Sequence, residues 1–229
     1  MLELLDPKSI DPFAYDQGYL AEIRQYSLLP DNRIGWNYCM DYTWVAMKCE
    51  DFLEAGMKVV DVGCGPGAIH GYLEAKHSLD IIGIDQNRWK FDYVDIVGDF
   101  TDRKLREKHD LTNLDAVISV SAVEHNCLED HRRVIDNCLE CLRSGGLLVA
   151  TFAATYGKSR FFAPSSQWNL NKQDIESIYG KKFFEFRYWR VWLRWRKHQE
   201  LSKAYKARYG SWSLFAPPFL SAGAAIIKA

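Results

Sequence analysis

The chain has 229 residues, of which 48% are apolar and 26% charged, and its formal net charge at pH 7 is −1. This composition is typical of a globular protein with a substantial core, and the balanced charge excludes a molecule that binds nucleic acid or anionic lipid through its overall charge. No basic stretch followed by an apolar run opens the sequence, and the longest apolar stretches are too short to span a bilayer. We therefore expect a single domain over residues 1–229, located in the cytoplasm with its thiols reduced.

The six cysteines show no pattern typical of a metal site. Only Cys138 and Cys141 form a C-x-x-C pair, and no second pair accompanies it, so no metal is expected. Their spacing places both thiols on one face of a helix, which predicts that they are buried in the core.

Strand and helix patterns alternate from residue 57 onward. Residues 1–56 carry aromatic residues and short helical patterns, which we interpret as a helical cap or lid. Apolar runs predict five strands, at 59–62, 80–85, 95–100, 114–120 and 147–152. Helical spacing predicts three helices, at 42–53, 68–75 and 129–142. Alternation at these lengths predicts an α/β fold, with a parallel, doubly wound sheet that has helices on both faces.

The last third of the chain is less regular. A helix is predicted to start near residues 169–174 and to stop at Gly180. The aromatic-rich segment 183–195 predicts a long strand, and 224–228 predicts a short closing strand. No low-complexity linker precedes these elements, so they are expected to belong to the same domain.

A glycine-rich loop follows the first of the alternating strands, in the sequence VVDVGCGPG at 59–67. Glycines allow a ligand to approach the backbone closely because no Cβ intervenes. The spacing Gly63-x-Gly65-x-x-Ala68 also satisfies a relaxed dinucleotide fingerprint. The loop alone therefore leaves both an NAD(P)-dependent oxidoreductase and a protein that binds S-adenosylmethionine (SAM) open.

Three aspartates at successive strand ends favour SAM. Ligands of doubly wound sheets bind beyond the carboxyl ends of the strands, where these carboxylates are placed. Asp85 suits a ribose in either class of protein. Asp61 stands inside the end of its strand, where a dinucleotide fold normally has an apolar residue, and it can meet the ammonium group of a methionine moiety. Asp99 can accept a hydrogen bond from an adenine amino group.

These motifs resemble, in order and spacing, those of the class I SAM-dependent methyltransferases. The matching segments are VVDVGCGPG (59–67), GID (83–85), GDF (98–100), LDAVISVSAVEH (114–125) and LRSGGLLVATF (142–152). The EH at 124–125 is similar to the small-molecule, type-11-like branch. The resemblance implies a Rossmann-like, seven-stranded, mostly parallel sheet whose last two strands come from 183–195 and 224–228. It further implies a SAM-binding core over 57–155 and an acceptor-shaping segment over 156–229.

The resemblance also implies which residues bind SAM: Asp61, Gly63, Cys64, Gly65, Gly67, Asp85, Gln86, Asp99, Phe100 and Ser119. The glycines would pack on the methionine part. Asp85 would hold the ribose hydroxyls, with Gln86 beside the adenine. Asp99 and Phe100 would frame the adenine, and Ser119 would line the floor near the sulfonium.

Methyl transfer from a sulfonium is an in-line displacement, so the main task of the enzyme is alignment in a dry pocket. An oxygen or nitrogen acceptor also has to lose a proton. His125, just beyond the fourth strand, is the candidate base because imidazole titrates near neutrality. In the alternative interpretation, Glu124 and His125 only cap the following segment and shape the floor.

The expected acceptor is a small molecule, such as a sugar or a secondary metabolite. Trp36 and Tyr38 lie about twenty residues before the first strand, where a lid over the acceptor is predicted. Packing in the core is the alternative for both aromatic rings. Trp168 follows the fifth strand and is predicted to stack on the acceptor.

Residues 181–210 carry ten lysines and arginines against two glutamates, with aromatic residues between them. Basic residues can bind phosphates and aromatic residues can stack on bases, so methylation of RNA remains an alternative. A solvated basic edge on an aromatic strand explains the same pattern. A SAM-binding partner protein without catalysis is a further alternative.

Overall fold

The computed structural model describes residues 1–5, 18–29, 32, 34–88, 93–183, 193, 196, 197, 199, 200, 203 and 220–229, without the side chains of residues 36 and 37. Its strands, in chain order, are β1 (Leu2–Leu4), β2 (Lys58–Val62), β3 (Asp80–Asp85), β4 (Ile96–Val97), β5 (Leu114–Val120), β6 (Leu142–Ala154), β7 (Arg160–Phe162), β8 (Gln167–Asn169) and β9 (Leu220–Ile227). Its helices are α1 (Gly18–Ile23), α2 (Trp36–Glu50), α3 (Ala68–His77), α4 (Arg103–Lys108), α5 (Leu128–Cys141) and α6 (Lys172–Tyr179).

Seven strands form one sheet in the order β1-β9-β6-β5-β2-β3-β4. The strands from β6 to β4 are parallel, while β9 runs antiparallel to both β6 and β1. β7 and β8 pair separately as a short antiparallel ribbon. The predicted Rossmann-like, mostly parallel, seven-stranded sheet is confirmed.

The strands bury alternate side chains on opposite faces of the sheet. Val59 belongs to a cluster with α1, α2 and α3, whereas its neighbour Val60 belongs to a cluster with α5 and α6. Strands buried on both faces read as continuous apolar runs, which is why β2, β5 and β6 were visible in the sequence. The result is a three-layer α/β/α arrangement.

Most predicted elements agree with the structure, and β4, β6 and β9 differ most in length. β9 begins four residues before the predicted start and ends one residue before the predicted end. β3 and β5 have the predicted bounds, and α6 ends at Gly180, whose φ is +62°. β4 has two residues instead of the predicted six. β6 begins directly after α5, five residues before the predicted start, because an irregularity in its pairing with β5 accommodates the intervening turn. Cys138 and Cys141 are buried free thiols on α5, as predicted.

The edge of the sheet beyond β9 is occupied by β1, where Leu2 pairs with Ala224. The predicted strand 183–195 lies outside the described residues except at positions 183 and 193. The N-terminal region, expected to be a helical cap, thus also supplies a strand. In the part of the chain that the structure describes, no helix is long and apolar enough to cross a membrane.

Candidate active site

The glycine loop between β2 and α3 folds back against the end of β3. The amide of Gly63 donates to the Ile84 carbonyl at 2.7 Å, and the amide of Gly65 donates to Oδ2 of Asp85 at 3.2 Å. Gly63 has a φ of +74°, and a Cβ there would lie 2.3 Å from the Cβ of Ala122. Glycine is therefore required at this position, both because the backbone has a positive φ and because there is no room for a side chain.

Two of the predicted carboxylates are fixed by the turns that follow their strands. Oδ1 of Asp85 accepts a hydrogen bond from the Asn87 amide at 2.8 Å, and Oδ1 of Asp99 accepts one from the Thr101 amide at 2.8 Å. These bonds orient both side chains before any ligand binds, since short polar side chains commonly bond the backbone two residues on.

The third carboxylate, Asp61, is paired with a histidine that sequence reasoning missed. Nδ1 of His70 on α3 lies 3.2 Å from Oδ2 of Asp61, and the two side chains are only 3% and 4% exposed. The ring of Tyr93 stacks on His70 with centroids 4.6 Å apart. His70 lies in the first turn of α3, directly after the glycine loop, and this position is the only signal for it in the sequence. The pair fixes Asp61 at the bottom of the site.

A cleft of about 530 Å³ opens at the carboxyl ends of β2, β3, β4 and β5. Its volume is in the range of small-molecule binding sites. The residues predicted to bind SAM that line this cleft are Asp61, Gly63, Cys64, Gly65, Gly67, Asp85, Gln86, Asp99 and Phe100. The structure therefore brings together all of the predicted cofactor residues except Ser119.

Ser119 does not lie on the floor of the cleft as expected. It is fully buried within the sheet, and its hydroxyl donates to the Val62 carbonyl at 2.8 Å. The serine that lines the cleft is Ser121, two residues further, where β5 has ended. Ser121 has a φ of +49°, and its amide donates to the Thr151 carbonyl at 3.1 Å. Such a conformation is uncommon for a residue other than glycine and is found at functional sites.

His125 lines the cleft from the turn that follows β5, as its predicted role requires. Its Nδ1 lies 3.0 Å from the Ser166 carbonyl oxygen. A carbonyl can only accept, so Nδ1 carries the proton, and in the neutral ring Nε2 has the free lone pair. Its neighbour Glu124 is buried in the same turn.

The predicted acceptor residues are only partly at the cleft. Tyr38 lines it and stacks on Tyr42 with ring centroids 5.4 Å apart. Trp36 begins α2, but its side chain lies outside the described part of the structure. Trp168 lies on β8, where it packs against Phe161 and the core instead of lining this cleft. Most of the basic segment 181–210 falls outside the described residues.

The described residues of the cleft fit SAM. The glycine loop exposes backbone without side chains, and a carboxylate lies at or just beyond the carboxyl end of β2, β3 and β4, where each can meet a different polar part of the molecule. The cofactor supplies an activated methyl group on a positively charged sulfur, and carboxylates suit that charge.

The sequence matches the family model described as "Methyltransferase domain" over residues 60–150. No curated protein shows significant sequence similarity to the chain. The matched residues run from β2 into β6 and include the whole glycine loop, Asp85, Asp99 and His125.

Several solved structures share the fold at low sequence identity. The cyclopropane synthase MmaA2 from Mycobacterium tuberculosis has a TM-score of 0.54 at 13% identity, over 92% of this chain and 94% of that one. Phosphoethanolamine N-methyltransferase 2 from Haemonchus contortus, in complex with SAM, has a TM-score of 0.52 at 16% identity, over 97% of this chain but only 61% of that one. Geranyl diphosphate C-methyltransferase from Streptomyces coelicolor has a TM-score of 0.51 at 12% identity, over 90% and 86% of the two chains.

The names of these proteins describe three different reactions, a cyclopropane synthesis, an N-methylation and a C-methylation, so the common fold does not specify the acceptor. The cofactor is better defined than the acceptor, because the glycine loop, the three strand-end carboxylates and the sequence match all indicate SAM. These observations favour SAM over NAD(P) and so argue against the oxidoreductase alternative. Residues 60–150 of the chain thus match a methyltransferase domain, and its fold is similar to those of solved structures that hold SAM or S-adenosylhomocysteine.

Proposed function

We propose that the protein transfers the methyl group of SAM to a nitrogen or oxygen of a small-molecule acceptor, with His125 as the base. The observation that carries this proposal is the position of His125 at the cleft, with its Nδ1 held by the Ser166 carbonyl. The free Nε2 can then take the proton that a nitrogen or oxygen acceptor must lose. Carbon acceptors in many cases have no such proton to lose before transfer.

The other residues at the cleft are proposed to bind separate parts of SAM. Asp99 and Phe100 at β4 would hold the adenine, Asp85 at β3 the ribose, and the loop after β2 the methionine part. In this order the reactive methyl group would lie near β5, where Ser121 and His125 line the cleft. Alignment of the acceptor with the breaking bond then supplies most of the rate enhancement.

Replacing His125 with alanine tests the proposed base. We expect kcat to fall about 100-fold or more, while the Kd for SAM measured by calorimetry changes by less than about twofold. His125→Asn keeps a polar side chain of similar reach and should be almost as slow, because an amide does not titrate. A His125→Ala protein with an unchanged rate would show that another group, or none, takes the proton.

Replacing Asp85 with alanine tests the cofactor site separately. Asp85 is expected to bind the ribose and already accepts a hydrogen bond from the Gly65 amide. The affinity for SAM should therefore fall about 10- to 100-fold. Asp80→Ala is the matched control, because Asp80 is an exposed aspartate at the opposite end of the same strand. Equal effects of the two substitutions on SAM binding would contradict the assignment.

A further inference from the structure

Buried carboxyl and hydroxyl groups lie beside the cleft, at the carboxyl ends of the central strands. Asp41 on α2 is 1% exposed and Glu124, in the turn after β5, is 3% exposed. The hydroxyl of Ser121 donates to Oδ2 of Asp41 at 2.7 Å, and the hydroxyl of Ser221 on β9 faces the same carboxyl group. We name Asp41, Ser121, Glu124 and Ser221 the acid cluster.

The acid cluster lies on the side of the cleft where the proposed function puts the acceptor. In the proposed function, SAM extends from β4 across β3 to β2, so its methyl end points toward the next strand of the sheet, which is β5. The acid cluster lies in that direction, because Ser121 and Glu124 follow β5 and Ser221 lies on β9. Ser121 and both sequence neighbours of Glu124 line the cleft, whereas Asp41 and Glu124 themselves are buried beside it.

Both carboxyl groups have an oxygen that lacks a partner. Oδ1 of Asp41 and Oε2 of Glu124 are buried and make no hydrogen bond within the described structure. Burial raises the pKa of Asp41 to about 7. Burial, together with the nearby Asp41, raises the pKa of Glu124 to about 8. Both pKa values are raised because the cluster has no positive charge and too few hydrogen-bond donors to stabilise two buried carboxylates.

We propose that the acid cluster binds the amino group of the acceptor, so that the protein is an N-methyltransferase acting on an amine. This inference rests on the proposed function and names its substrate class. An ammonium group brings a positive charge and three N–H donors, which match two carboxyl groups with unpartnered oxygens. An alcohol brings one donor and no charge, and an anionic acceptor is repelled.

The transfer step balances with the groups at the cleft. The bound ammonium group gives one proton to Nε2 of His125, which frees the nitrogen lone pair. The N–C bond forms as the S–C bond breaks, and the sulfur keeps the electron pair. The products are S-adenosylhomocysteine and an N-methylammonium cation, which the carboxylates still stabilise. His125 is exposed, so it returns its proton to solvent.

Labelled SAM and the small-molecule fraction of an extract of the producing cells test the acceptor class. The extract is divided at pH 7 on a cation exchanger, which retains amines and passes neutral and anionic compounds. Label should appear in a product made from the retained fraction, on nitrogen. Label only in products of the unretained fraction, or in neither fraction with a protein that binds SAM, overturns the inference. Failure to bind SAM contradicts the proposed function instead.

Two amide variants test the acid cluster itself. Asp41→Asn and Glu124→Gln keep the shape of the protonated side chains but cannot carry negative charge. Each should lower transfer to the retained fraction about 100-fold, mostly through the KM for the acceptor, with the Kd for SAM within about twofold. Glu129→Gln, an exposed glutamate on the following helix, is the matched control and should have no effect. Unchanged transfer in both variants, or an equal loss of SAM binding, overturns the assignment.

Discussion

Replacing Gly83 with alanine is expected to lower the free energy of unfolding by about 3 kcal/mol or more. A Cβ on this β3 residue would lie 1.8 Å from the carbonyl oxygen of Tyr93, which belongs to the backbone and cannot rotate away. Two hydrogen bonds hold the segments together: the Gly83 amide donates to Oδ2 of Asp95 at 2.8 Å, and the Asp95 amide donates to the Gly83 carbonyl at 2.9 Å. The added methyl group breaks this contact or distorts the strand.

The same substitution should also weaken SAM binding, because Tyr93 stacks on His70, the partner of Asp61. Urea denaturation measures the first effect and calorimetry the second. Gly35→Ala is the control, since a Cβ there would lie 3.4 Å from the nearest atom, a ring carbon of Tyr38. A Gly83→Ala protein that is as stable as the control would refute the close packing of Tyr93 on β3.

The free energy of unfolding is expected to fall as the pH rises from about 5 to 9, and Glu124→Gln should remove part of that fall. The folded-state pKa values of Asp41 and Glu124 are about 7 and 8, above those of the unfolded chain. Between the unfolded and folded pKa values, the folded state binds more protons than the unfolded state, so stability decreases with pH. At about 1.4 kcal/mol per pKa unit, the loss is on the order of 3 kcal/mol for each group.

Urea denaturation at pH 6 and pH 9 measures this difference. The groups that face the two carboxyl groups are the phenols of Tyr38, Tyr42 and Tyr179, which stay neutral over this range. Glu124→Gln should therefore be more stable than the unmodified protein at pH 9 and close to it at pH 6. Glu54→Gln, which changes an exposed carboxyl group, should leave the pH dependence unaltered. A steeper pH dependence of the free energy of unfolding in Glu124→Gln would mean that other groups stabilise the Glu124 carboxylate in the folded protein.

The parallel core was predictable because each of its strands is a short apolar run between turn residues. β3 and β5 could be bounded to the residue for that reason. β1 could not be predicted, since three residues carry no periodicity and their strand forms only by pairing with β9. The length of β4 was overestimated because the chain leaves the sheet at Gly98. The Gly98 amide still donates to the Asp85 carbonyl.

The cofactor half of the site was more predictable than the acceptor half. Asp61, Asp85 and Asp99 are each tied to a strand end, so a strand prediction places them. Ser119 was predicted to line the floor, and Ser121 was missed, because sequence alone does not show where β5 ends and the backbone turns to positive φ. Asp41 came from a helix remote in sequence, and only the tertiary packing of α2 brings its carboxyl group to Ser121.

The pairing of β1 with β9 has a consequence for the order of folding. Leu2 bonds to a strand that begins at Leu220, so the first strand of the sheet stays without a partner until nearly the whole described chain has left the ribosome. Contacts of such high sequence separation form late and slowly, because the loop must close before they contribute. The strands around the glycine loop can assemble earlier, whereas the edge beside β9 closes last.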